Sequence, residues 1–285
     1  KIILPKQCQR PPGLIGDIID YNLSTALYPA PMLAVAGATA LMSAITGRKV
    51  CDERNTRTNL LIVSLAATGA GKNAAREVNA RILFDSDWPQ LIGEENLTSA
   101  GGFISSLNEY PARLFQQDEI QGLIRQIGFG NKATHLANLP ATISTCFSSA
   151  GGTWKPNAYA DRTKNQLIEQ PHAAIHGTGI SEHFWKYLSA EHLTDGFVGR
   201  LLLFEFDDPA IKPSRSKHEP VPQHIIEGVQ WWRDHKGDGG NLNDITPSPL
   251  IVEKTSAAEE RLYEHMVAIR RTNRRENGPR QAIWA

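Results

Sequence analysis

Two stretches of this chain carry side chains in an order suited to phosphate chemistry. The first is Thr68-Gly69-Ala70-Gly71-Lys72-Asn73, which follows the apolar run Leu60 to Leu65 and precedes the helix-forming Ala74-Ala75-Arg76-Glu77-Val78. Glycines at 69 and 71 let successive backbone N–H groups turn inward around an anion. A helix starting near Lys72 would aim its positive dipole end at the same point, and Lys72 would reach the β- and γ-phosphates. Strand, Gly-rich loop, lysine and helix in that order predict a P-loop binding ATP. The match departs from the usual pattern twice. Ala66 stands where the first glycine is expected, and Asn73 where a Ser or Thr hydroxyl normally meets Mg²⁺. The Asn73 amide oxygen is an alternative metal ligand.

The second stretch is Arg113-Leu114-Phe115-Gln116-Gln117-Asp118-Glu119. A short strand ending in two carboxylates supplies what nucleotide hydrolysis needs: Asp118 for Mg²⁺ or its water, and Glu119 to polarise the attacking water. An acidic pair at a strand end is also an ordinary solvated turn, and the two glutamines interrupt the apolar run. Further on, His172-Ala173-Ala174-Ile175-His176-Gly177-Thr178 reads as a buried strand with a polar end, making Thr178 a candidate γ-phosphate sensor. Asp195-Gly196-Phe197-Val198-Gly199-Arg200 leads into the strand Leu201 to Phe206. Arg200 at its mouth is a candidate to touch a phosphate of its own or a neighbouring subunit, or else a surface ion-pair partner.

Nucleic-acid contact is expected only from local features, because 30 basic and 30 acidic residues cancel. Lys155, Arg162 and Lys164 interleave with Trp154 and Tyr159, a pattern that could contact a nucleic-acid backbone and stack a base, although an ordinary hairpin with a wet face is the preferred reading. The basic end Arg270 to Arg275 reads as a solvated helix end. Cys8, Cys51 and Cys146 are too scattered for a zinc knuckle or a disulfide framework. With no signal peptide and no apolar run of spanning length, this points to a cytoplasmic protein without a membrane segment. The chain begins without Met and ends on Trp284-Ala285, as a fragment of a longer protein would.

The elements that must position these residues give an α/β fold: a P-loop NTPase core with a parallel sheet flanked by helices, an N-terminal helical lead-in and a C-terminal helical segment. We expect residues 1–58 to form an extended arm and lead-in, broken at Pro29 and Pro31 before a buried helix from Met32 to Ile45. Residues 59–210 form the core and 211–285 a linker and helices, with Asp207 to Pro222 exposed and a long helix from Glu253 to Glu276. Ser99 is placed to cap a helix running to about Asn108.

Taken in order, the Gly-rich loop, Gln117-Asp118-Glu119, the strand ending Gly177-Thr178, the Gly-Phe-Val-Gly-Arg segment and the lead-in Pro12-Gly13-Leu14-Ile15-Gly16 resemble a phage and prophage family of primase–helicase-like P-loop ATPases. The resemblance covers about residues 10–206. It implies the additional-strand, catalytic-Glu class, assembly into a ring, and action on single-stranded DNA with ATP and Mg²⁺. It carries over Lys72, Asp118, Glu119, Thr178 and Arg200. Three other readings stay open: an ATPase switch or loader that does not unwind DNA, a metabolite kinase, and a P-loop that binds nucleotide but turns it over poorly. The kinase lacks a visible acceptor-binding lid, and Asn73 is the residue that keeps the last reading alive.

Overall fold

The computed structural model describes residues 4–128, 138–156, 167–188, 197–207, 211–215, 217–236 and 247–275. The chain opens with a short helix α1 (Lys6–Gln9), where the sequence suggested an extended arm. It continues through α2 (Leu14–Thr25), α3 (Pro31–Ile45), β1 (Val50–Cys51), β2 (Leu61–Ala66), α4 (Ala74–Asp85), α5 (Ala100–Glu109), β3 (Ala112–Gln117) and α6 (Ile120–Gly128). Then come α7 (Leu139–Ser148), β4 (Thr153–Trp154), β5 (Ile168–Glu169), β6 (His172–Ile180), α8 (Ser181–Tyr187), β7 (Leu201–Phe206), α9 (Gln223–Asp234), β8 (Leu250–Ile251) and α10 (Ser256–Arg275). Local chemistry sets several of these boundaries. Pro31 sits at the first position of α3, where its missing N–H costs nothing. Ser99 caps α5, its hydroxyl accepting from the Gly102 N–H at 3.0 Å.

Four parallel strands form the central sheet in the order β3-β6-β2-β7. The strand carrying Thr178 therefore lies between the strand feeding the Gly-rich loop and the strand feeding Asp118-Glu119. Both faces of β2 are covered, which is why its sequence is continuously apolar. Ile62 packs into one cluster with residues of α2, α3, α4 and α9, among them Ile18, Leu41, Ile82 and Ile225. Leu61, Val63 and Leu65 pack the other way, against Phe103, Ile124, Ile143 and Phe184 of α5, α6, α7 and α8. The result is a sheet between two helical layers.

The three sequence segments do not fold apart. Ile18 of the lead-in, Ile62 of the sheet and Val221 and Ile225 of the tail share one buried cluster. The stretch expected to be a bare linker is exposed along much of its length but tied down, the Ser214 N–H donating to the Leu27 carbonyl at 2.7 Å. Among the described residues no helix is long and apolar enough to cross a membrane.

Candidate functional site

All four strands point their C-terminal ends the same way, and a parallel sheet offers its ligand crevice at that edge. A cleft of about 640 Å³ opens there, within the range of small-molecule sites. Its floor holds Thr68, Gly69, Gly71, Lys72, Asp118 and Glu119. The register explains the convergence: Ala66 pairs with Ile180 and Gln117 with Gly177, so the ends of β2, β6 and β3 lie close to one level.

Ala66 is the last residue of β2, fully buried against Ala30 and Leu33, so no glycine is needed there. The turn itself is carried by Gly69 and Gly71, with φ of +79° and +77°. Gly71 is doubly constrained, since a Cβ on it would stand 2.8 Å from the Tyr28 carbonyl oxygen. The helix starts at Ala74, slightly later than expected, with Asn73 as an exposed cap residue whose side chain makes no capping bond. Lys72 folds over the loop, Nζ donating to the Ala67 carbonyl at 3.3 Å. Partial burial lowers its pKa, a shift opposed by the nearby Asp118 and Glu119 carboxylates.

Asp118 is the most tightly held acid of the site. Thr178 Oγ1 donates to its Oδ1 at 2.8 Å, the Glu119 N–H donates to the same oxygen at 2.9 Å, and Arg76 Nη1 stands 3.1 Å from Oδ2. Burial pushes its pKa up, but the Thr178, Glu119 and Arg76 contacts outweigh burial and hold it below the usual carboxylate range. Glu119 is exposed and sits at φ +48°, a left-handed conformation uncommon for a non-glycine residue, which it shares with Arg48, Asn55, Asp87 and Gln170 outside the cleft. The donor set suits Mg²⁺, which takes one or two carboxylates and otherwise substrate oxygens and water. Asp118 and Asn73 both line this cleft, and both Asp118 oxygens already accept from Thr178, Glu119 or Arg76.

Thr178 is fully buried and turned toward Asp118, so it positions that carboxylate; Gly179 and Ile180 line the cleft in its stead. His176 lies below, fully buried, with Nε2 2.9 Å from Ser64 Oγ. Arg200 falls at the opposite edge of the sheet. It precedes Leu201, which pairs with Leu61 at the start of β2. The length of β2, about 20 Å at roughly 3.3 Å per residue, separates Arg200 from the Gly-rich loop of its own chain. Its guanidinium lies over the Phe147 ring, with Nη2 3.5 Å from Ser148 Oγ. A contact with a phosphate held in its own chain is therefore excluded.

The expected nucleic-acid stretch also changes. Trp154 is only 4% exposed and packs edge-on against Phe103, so it belongs to the core and offers no stacking face. Lys155 is exposed just after β4 and does not line the cleft. Arg162 and Lys164 lie outside the described residues.

Sequence reasoning missed Arg76 and the far walls of the cleft, Thr25 to Tyr28, Arg81, Lys217 and His218. Arg76 is legible in retrospect, one helical turn beyond Lys72 and on the side facing the sheet. The walls have no motif, being loop residues far apart in sequence. No protein-family model matches the chain, and no curated protein matches it in sequence.

Proposed function

We propose that this chain is an ATP-hydrolysing P-loop domain of the additional-strand, catalytic-glutamate class, working as a DNA motor of the primase–helicase type. The observation that carries the ATPase reading is the strand order. With β6 between β2 and β3, the ends of all three strands bring Lys72, Asp118 and Glu119 into one cleft. Lys72 and the loop N–H groups bind the β- and γ-phosphates. Asp118, with Asn73, would hold Mg²⁺, which supplies charge neutralisation on the phosphate oxygens when bound. Glu119, exposed and one residue beyond the metal-binding acid, orients and deprotonates the attacking water. Arg200, too far from its own loop, would serve only across a subunit boundary in a ring.

The DNA-motor part rests on the motif order and the resemblance it carries. A second reading, an ATP-dependent switch or loader, is favoured by two observations: Trp154 is buried and the formal charge is zero. Phosphate release with and without single-stranded DNA, together with strand displacement, separates the two. The motor reading expects hydrolysis stimulated at least about tenfold by DNA, lost in Glu119→Gln by roughly two to three orders of magnitude. Hydrolysis indifferent to DNA, with no strand displacement, assigns the chain to the switch.

A further inference from the structure

We infer that α10 is a docking surface for a second copy of this chain, the two helices pairing antiparallel about a two-fold axis. None of the helix lines the nucleotide cleft. Its root is fixed to the body. β8 pairs with β1, the Leu250 N–H donating to the Lys49 carbonyl and the Val252 N–H to the Cys51 carbonyl, both at 2.8 Å. Lys254 Nζ then bridges Asp52 Oδ2 at 2.7 Å and Glu53 Oε2 at 2.6 Å. The Thr255 hydroxyl accepts from the Ala258 N–H at 3.3 Å and caps the helix. Beyond that anchor every residue from Ser256 to Met266 is exposed, on all sides of the helix.

A helix of 20 residues is marginal in water on propensity alone and is ordinarily held by packing an apolar face. α10 has such a face. Ala258, Leu262, Met266 and Ile269 fall within about 80° of one another around the axis. Leu262 is 48% exposed and Met266 47%. The acidic start and basic end of the helix suit its dipole, but the dipole does not account for an apolar stripe in water.

Charge selects the occupant. Glu259, Glu260 and Glu264 outweigh Arg261 in the first half of α10, while the second half carries Arg270, Arg271, Arg274 and Arg275 and no acid. An antiparallel copy lays its basic half on this acidic half, once on each side of the axis. A parallel copy sets acid on acid and base on base. One register serves both the stripe and the charges. With Leu262 against Met266 of the second copy, Ala258 comes against its Ile269. Glu259 and Arg270 lie on the same flank of the stripe, about 20° apart, so in this register Glu259 of each copy stands opposite Arg270 of the other. The surface is thus self-complementary and closes on itself, unlike the head-to-tail contact of a ring, which joins two different surfaces. A stripe about 16 Å long makes a small interface, and a dissociation constant of about 10 µM is expected.

The test is analytical ultracentrifugation of the chain without nucleotide, from about 1 to 200 µM. The wild type is expected to pass reversibly from monomer to dimer. Leu262→Glu combined with Met266→Glu should weaken association at least about a hundredfold, leaving monomer throughout. Glu259→Arg and Arg270→Glu should each weaken it at least about fivefold, and the two together in one chain should restore it to within about twofold. All four positions are exposed, so folding tolerates the changes, and an unchanged melting midpoint at about 1 µM, where the wild type is monomeric, checks this. A wild type that stays monomeric overturns the proposal, as does a dimer that survives the double stripe substitution. Association seen only with ATP belongs to a ring contact and overturns it too. Failure of the combined charge swap to restore the dimer overturns the antiparallel pairing. A monomer that instead binds single-stranded DNA or anionic vesicles through Arg270 makes α10 a surface for those partners and contradicts the self-pairing.

Discussion

The two edges of the central sheet carry similar residue types and treat them in opposite ways. At the C-terminal edge Lys72, Glu119 and Asn73 reach solvent in a shared cleft, and Asp118 keeps partial exposure. At the N-terminal edge Lys49 and Arg48 are buried and tied to carbonyls. Lys49 is 1% exposed, its Nζ donating to the Arg233 carbonyl at 3.2 Å and to the His235 carbonyl, with the Trp88 ring 5.8 Å away. Arg48, buried beside it, donates to the Glu169 carbonyl at 3.1 Å, and Arg57 Nη1 to Gln170 Oε1 at 2.7 Å. The His172 ring packs against Gly47, and its Nε2 lies 2.9 Å from the Ser43 carbonyl. One edge spends its polar groups on holding α3, β1, β5 and α9 together. The other leaves them available to a ligand. A charge is a poor guide to function until its partners are known.

If this division holds, perturbing the buried edge changes stability and leaves nucleotide binding by the folded protein intact. The largest effect is expected from pH. Burial pushes the imidazoles of His172 and His176 down to about 4, against about 6.5 in an unfolded chain. Between those values the unfolded state takes up protons that the folded state refuses. The stabilisation is complete above about pH 6.5 and is lost as pH falls toward 4, by about 3 kcal/mol for each ring. Denaturant titrations at pH 7.5, 6 and 5 should show this decline, and His172→Gln should roughly halve it. A midpoint constant from pH 7.5 to 5 contradicts the assignment. Lys49→Met should give a smaller loss, about 2 kcal/mol, because the carbonyls at the end of α9 lose their donor. Its ATP affinity at 20 °C should match the wild type; a weakened affinity in the folded variant breaks the division between the edges.

The same comparison shows where the sequence was readable. The Gly-rich loop, the Ser99 cap and the apolar strands were legible because each is a local pattern with a local cause. Gln116 and Gln117 interrupt the apolar run of β3, but both are buried with partners: Gln116 Nε2 donates to the Arg76 carbonyl at 3.1 Å and its Oε1 accepts from Asn79, while Gln117 Oε1 accepts from the Leu97 N–H at 3.1 Å. Those partners lie many residues away, and no periodicity reports them. Of the two readings of the Trp154 stretch the hairpin is the one the fold supports, since the Trp154 ring faces Phe103 in the core and offers no stacking face. Arg200 sits at a strand mouth as expected, but the parallel register puts that mouth at the edge without the cleft. Sequence order could not tell which edge that was.

The central claim is that the C-terminal edge binds a nucleoside triphosphate through Lys72. Titration of a fluorescent ATP analogue into wild-type protein and into Lys72→Ala tests it most directly. Lys72 is partly exposed and makes a single loop contact, so the variant should fold normally. The expected result is saturable binding by the wild type and a loss of roughly a hundredfold in affinity in the variant, in proportion to a charge-assisted phosphate contact. Equal binding by the two proteins, or none by either, contradicts the account.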